Sequence, residues 1–183
     1  MTIAALVGHA GPVALFLGAA IEGETFAMLG GMIAHRGLLP LPVAWGAVLL
    51  GTLLADQGFF FAGRRMRDRP FVRRIRARAA FAKAQAHFER HPTLFVLLFR
   101  FLYGLRAASP VMIGMSGFPP SRFAVLNVAA AIVWSLLFVG IGYAFGMGLE
   151  QAIGRIADHR DWLPWLLVPV GAGIAFRLLR RRA

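Results

Sequence analysis

Apolar residues run through this chain in five stretches parted by short polar breaks. Three of them, Leu41 to Phe61, Phe123 to Phe145 and Trp162 to Leu179, reach the roughly 20 mostly apolar residues that a helix needs to cross a bilayer. Asp56 is the one ionisable residue in their cores. The other two, Gly11 to Gly37 and Thr93 to Gly117, are interrupted near the middle by charge and glycine: Ile21-Glu22-Gly23-Glu24 in the first, Phe99-Arg100-Phe101-Leu102-Tyr103-Gly104-Leu105-Arg106 in the second. Each side of a break has only about 10 to 13 residues, close to half a bilayer at about 1.5 Å per residue. These two stretches are predicted to be re-entrant helical hairpins.

Charge placement orients the chain. Ten basic residues fall between Arg64 and Arg90, and four more between Arg177 and Arg182. If the first cluster is cytoplasmic, a hairpin at 93–117 returns the chain to the cytoplasm, the span at 123–145 leaves it and the span at 162–179 re-enters. The Arg180-Arg181-Arg182 tail then lies inside, as the positive-inside rule requires; a simple crossing at 93–117 would place it outside. The connection Met147 to Asp161, with two arginines and three acids, reads as an external loop. The predicted fold is an all-α, polytopic membrane protein of one membrane domain over 1–183. It is an inverted-topology repeat of hairpin plus transmembrane helix, with a third transmembrane helix at the C-terminus, and broken helices in such repeats meet near the midplane around a substrate.

Composition agrees with this reading. The chain has 183 residues, 58% of them hydrophobic, and a formal net charge of +12. Set between apolar flanks, the basic excess is an orientation signal rather than a nucleic-acid patch. The absence of cysteine excludes disulfides, thiolate metal sites and thiol catalysis. Met1 to Ala10 has no basic n-region and reads as part of the mature chain. Phe71, Val72, Ile75, Phe81 and Phe88 interleave with the arginines of the 64–90 linker, which fits a basic, cytoplasmic amphipathic helix at the membrane surface; a solvated loop is the alternative.

Ionised side chains are costly in hydrocarbon, so opposite charges in the two breaks point to a site with built-in partners. Arg100 and Arg106 are six residues apart, and a bend at Tyr103-Gly104 is needed for them to converge. Guanidinium forks grip phosphate oxygens bidentately, which suits an anionic lipid headgroup; static neutralisation of Glu22, Glu24 or Asp56 is the alternative. Glu22 and Glu24 repel each other when both are charged, which suits proton uptake, or one of them caps the helix from Thr25. Asp56 serves as a relay carboxylate or pairs with Arg64 or Arg65. Asn127 and Ser135 read as interhelical contacts, Gly140, Gly142 and Gly146 as close packing positions, and the four tryptophans as anchors or packing. His87 and His91 are four apart but lack the zincin order, and no metal or cofactor is expected.

Several of these runs coincide with a known pattern. Arg100-Phe101-Leu102-Tyr103-Gly104-Leu105-Arg106-Ala107-Ala108-Ser109-Pro110, then Gly114-Met115-Ser116-Gly117, Arg122-Phe123, Asn127 and Trp134, together with Glu22-Gly23-Glu24-Thr25, Gly30-Gly31 and Asp56-Gln57, resemble the DedA family within the wider VTT-domain group. Tyr103-Gly104 stands where many members have Pro-Gly, as does Glu22-Gly23. The resemblance implies lipid movement across the bacterial inner membrane, of undecaprenyl phosphate or phospholipid, driven by the proton-motive force. It gives Arg100, Arg106, Tyr103 and Gly104 to the lipid phosphate and Glu22, Glu24 and Asp56 to protons.

The expected function is therefore a flippase-like or scramblase-like lipid translocase, not an enzyme, with membrane lipids and protons as partners and the C-terminus cytoplasmic. A homodimer is compatible with it. A proton-coupled transporter of a small solute is the alternative. A membrane enzyme acting on lipid phosphate would need a nucleophile or metal set that the sequence does not offer.

Overall fold

The computed structural model describes residues 3–69, 79–102 and 106–158. Outside them lie the predicted span at 162–179, the basic tail, the middle of the linker, and Tyr103 and Gly104. The chain divides into two compact units, Met1–Ala144 and Phe145–Ala183. All the described secondary structure is helical.

Helix α1 (Ile3–Ile21) starts well before the expected boundary at Gly11, carrying Pro12 inside it. It stops where predicted. The Glu22 and Gly23 amides both reach back to the Gly18 carbonyl, and Gly23 takes φ 87, a conformation that a side chain would oppose. Two residues thus suffice to turn the chain into α2 (Glu24–His35). That helix ends in a Schellman motif: Gly37 has φ 67, its N–H donates to the Ala34 carbonyl, and the Leu38 N–H donates to the Ile33 carbonyl. Pro40 then caps α3 (Leu41–Met66).

The second half repeats the order. Helix α4 (Ala79–Arg90) leads into α5 (Pro92–Leu98), which tightens into a 3₁₀ turn over Phe99–Phe101, and Leu102 is extended. Helix α6 (Ala108–Met115) follows, Gly117 takes φ 85, and Pro119-Pro120 opens α7 (Pro120–Asp158). A limb, a break, a second limb, a left-handed glycine, a proline and a long apolar helix therefore occur twice. Among the described residues two helices are long and apolar enough to cross a membrane, Leu41–Met66 and the Pro120–Gly148 part of α7. Leu50, Leu54, Val125, Val133 and Leu136 are exposed along them, which is the pattern of helices solvated by lipid.

Two expectations need correction. Residues 147–158 of the predicted external loop are not looped but helical, because α7 runs through Asp158. Nor does the described part of the linker offer its aromatics to lipid. Phe88 is buried edge-on to Phe95 and Phe118, with Phe81 partly buried against the same cluster, so these two aromatics of α4 pack on the protein.

The first unit has two apolar clusters. One contains Leu15, Ala19, Ala27, Val48, Trp134 and Val139; the other contains Phe60, Phe88, Val96, Phe99, Ile113 and Phe123, with the Phe60 and Phe123 rings stacked at 4.2 Å. Helix crossings between the halves are close and reciprocal. A Cβ on Gly31 of α2 would strike the Val139 carbonyl of α7, and one on Gly142 of α7 the Met28 carbonyl of α2. Likewise a Cβ on Gly114 of α6 would strike the Phe60 carbonyl of α3, and one on Gly63 of α3 the Val111 carbonyl of α6. Glycine lets the backbones touch at both crossings. Of the other predicted packing glycines, Gly140 faces open space.

Candidate functional site

Between the two apolar clusters lies a polar layer built by helical spacing. On α3, Val48, Thr52, Asp56 and Phe60 recur every four residues and share a face, so the two polar members fall between the clusters. On α7, Asn127 and Trp134 are seven apart and face the same layer. The 3₁₀ turn delivers Arg100, and the segment entering α6 delivers Arg106.

Arg100 is enclosed. One terminal nitrogen, Nη1, donates to the Thr52 hydroxyl at 2.8 Å; the other, Nη2, donates to the Asn127 side-chain oxygen at 2.9 Å and forms an ion pair with Asp56 at 2.5 Å. The arginine side chain is 0% exposed and the aspartate 4%. A buried charge persists only with such partners, and here a carboxylate, an amide and a hydroxyl supply them.

Arg106 is at the edge. Its Nη2 donates to the same Thr52 hydroxyl at 2.5 Å, while Nη1 donates to the main-chain carbonyl of Glu22 at 3.3 Å and lies 3.5 Å from the Glu24 carboxylate. The guanidinium sits over the Trp134 ring, 4.4 Å from its centroid, a cation–π contact on a buried indole. It also lies on Gly23, where a Cβ would overlap it. A cleft of about 470 Å³ opens here, lined by Glu22, Glu24, Thr25, Asp56, Phe59 and Arg106 among others. Arg100 is behind its wall.

The two arginines thus meet at one oxygen. Two like charges gathered on one hydroxyl repel each other. Asp56 and Glu24 offset that repulsion from opposite sides. The arrangement can receive an anion at Arg106 if Glu24 gives way.

Most of the predicted site residues come together, with changes of partner. The opposed charges of the two breaks do meet, through Arg106 and the Glu22–Glu24 turn. Asp56 pairs with Arg100 rather than with Arg64 or Arg65; Arg64 instead donates to the Phe118 carbonyl at 3.1 Å. Neither glutamate caps α2, whose N-cap is Gly23 with no side-chain cap bond, although the Glu22 carboxylate accepts from the Thr25 hydroxyl at 3.0 Å. Ser135 is an interhelical contact as expected, accepting from the Trp45 indole at 2.9 Å, which makes Trp45 a helix tie rather than a bare anchor. Asn127 and Trp134 belong to the arginine site and not merely to packing. Sequence reasoning missed Thr52 altogether, and its signal was the four-residue step to Asp56. Among the described residues no group of three or more histidines and acids could hold a metal.

The VTT domain family matches residues 21–144, an interval that begins at the first break and encloses every residue of this site. Along its whole length the chain is 37% identical to inner membrane protein YohD of Escherichia coli K12, covering 95% of that protein. It is 27% identical to the uncharacterized membrane protein slr0232 of Synechocystis, over 99% of this chain and 89% of the relative. Protein DedA of Escherichia coli K12 is 28% identical over 69% of this chain and 60% of its own. No solved structure matches significantly.

Proposed function

The chain belongs to the DedA family of VTT-domain membrane proteins, and from that premise we propose that it is a lipid translocase of the bacterial inner membrane. It moves an anionic lipid, such as undecaprenyl phosphate or a phospholipid, with coupling to protons. The observation that carries this reading is Arg106 at the mouth of an acid-lined cleft, 3.5 Å from Glu24 and with its side chain 15% exposed. A guanidinium in that position offers a planar fork to a phosphate, and Glu24 competes with the phosphate for it. Protonation of Glu24 removes the competitor, so headgroup and proton bind together. Asp56, at the cleft wall, balances Arg100, whose terminal nitrogens are taken; Arg100 contributes its field and the placement of Thr52 and Asn127. Glu22 adds negative charge at the rim. Tyr103 and Gly104, outside the described residues, are assigned to the same lipid phosphate.

The reciprocal glycine crossings and the repeated element order support an inverted repeat, with α1–α2 and α5–α6 as its hairpins and α3 and α7 as its spans. At about 1.5 Å per residue, the 12 residues of α2 reach about 18 Å and the 8 of α6 about 12 Å, short of a hydrocarbon core of about 30 Å, as re-entrant limbs must be. The lipid tail stays in the bilayer while the headgroup passes, and the C-terminus is cytoplasmic.

The test is reconstitution. Purified protein in liposomes should change the leaflet distribution of undecaprenyl phosphate or of a phospholipid, with the lipid recovered chemically unaltered. Arg106→Gln should abolish that movement at equal protein density. Full activity in Arg106→Gln, or flux of a small solute with lipid unmoved, would refute the reading, the latter in favour of a solute transporter.

A further inference from the structure

We propose that Thr52 is the positioning residue of the site: its hydroxyl draws both arginines onto one oxygen and keeps Arg106 turned from the hairpin tip toward the polar layer. The importance of this for transport rests on the translocase reading, whereas the geometry stands by itself.

Thr52 is fully buried in the face of α3 between Val48 and Phe60. Its Oγ1 lies 2.8 Å from Arg100 Nη1 and 2.5 Å from Arg106 Nη2. Guanidinium groups only donate, so both bonds land on the lone pairs of this hydroxyl, and its single proton serves neither arginine. The residue is therefore an acceptor for two cations. Valine has nearly the same shape without the acceptor, and serine keeps the acceptor without the methyl.

The consequences for the two arginines differ. Without the hydroxyl, Arg100 keeps Asp56 and Asn127. Arg106 loses the bond of Nη2, and its remaining polar partners are the Glu22 carbonyl and Glu24, both at Nη1 and both on the tip of the first break, beside the face of Trp134. A residue that merely filled space would, on substitution, disturb both arginines or neither. Thr52 is predicted to release one.

The experiment is arginine-selective labelling of the full chain in liposomes with phenylglyoxal, read at Arg100 and Arg106 by peptide mass spectrometry. Thr52→Val should label Arg106 about tenfold faster than the parent, as loss of one charge-assisted bond implies. Arg100 should stay protected, and Thr52→Ser should match the parent. Unchanged labelling of Arg106, or equal exposure of both arginines, would overturn the proposal. If Thr52→Val does not fold, Thr52→Ala is read in the same way. In the leaflet assay Thr52→Val should lose transport and Thr52→Ser retain it, and full transport by the valine variant would also overturn the assignment. Labelling as expected in a protein that moves no lipid would uphold the positioning role while removing the translocase reading.

Discussion

Asp56→Asn keeps the size of the side chain and removes its charge, which leaves Arg100 buried beside an amide. The pair is 2.5 Å apart with side-chain exposures of 0% and 4%, so solvent screens almost nothing. Removing one partner of such a pair costs about 3 to 5 kcal/mol, because the other charge is stranded. For a chain of this size, about 1 kcal/mol moves the melting temperature by roughly 2 to 4 °C, giving a fall of about 6 to 20 °C. Intrinsic fluorescence during heating in one fixed detergent reads it, since Trp134 lies buried in the same layer. Glu24→Gln is the control: the Arg106 pair is 3.5 Å long with exposures of 15% and 29%, and such pairs contribute at most about 1 kcal/mol. Its melting temperature should drop by no more than about 4 °C. The double variant Asp56→Asn/Arg100→Gln removes both charges and should recover part of the loss. A single Asp56→Asn variant melting within about 2 °C of the parent, or a double variant no better than the single, would refute this accounting.

Gly23→Ala should strain a backbone at φ 87 by about 1 to 2 kcal/mol and push its methyl into the Arg106 guanidinium, so lipid movement falls much further than stability in paired transport and melting measurements. Gly114→Ala and Gly142→Ala should each cost about 1 to 3 kcal/mol by driving a methyl onto the carbonyl of a crossing helix, at Phe60 and Met28 respectively. Gly58→Ala, on the same span as Gly63 but facing open space, should instead raise the melting temperature, since alanine is favoured over glycine in a helix by about 1 kcal/mol.

The breaks and spans were legible because they rest on composition that the bilayer constrains strongly. Glu22-Gly23 interrupts the first stretch where expected, and two long apolar helices follow the two breaks. Partner choice was less legible, and Asp56 shows why. Hydropathy ends the first span at Phe61 and so leaves Asp56 near a membrane edge, within apparent reach of Arg64 and Arg65. Backbone hydrogen bonding continues the helix to Met66, with those two arginines in its last turn where the helix dipole favours them. That moves Asp56 inward, onto the face that meets Arg100. The far end of α7 was misread for a related reason: charges at Glu150, Arg155 and Asp158 end the apolar run without ending the helix. Thr52 is easily overlooked despite its four-residue step to Asp56, because one hydroxyl in an apolar span satisfies itself on its own helix as readily as it serves a site.

The unequal burial of the two arginines suits them to different parts in the proposed transport cycle. A group that moves must break its contacts at a cost that thermal motion, a proton or a substrate can meet. Withdrawing Arg100 from Asp56 strands two buried charges, at several kcal/mol before the bonds to Thr52 and Asn127 are counted. Withdrawing Arg106 gives up a long, partly solvated contact to Glu24, one carbonyl, the hydroxyl of Thr52 and the face of Trp134, and a phosphate can replace the first three with oxygens of its own. In the proposed translocase Arg100 would then be the fixed charge that keeps Asp56 and the polar layer in place, and Arg106 the charge free to follow a headgroup. On the translocase reading, neutral replacement at Arg106 should remove transport from a protein of nearly parental stability, whereas neutral replacement at Arg100 alone strands Asp56 and should lower stability itself.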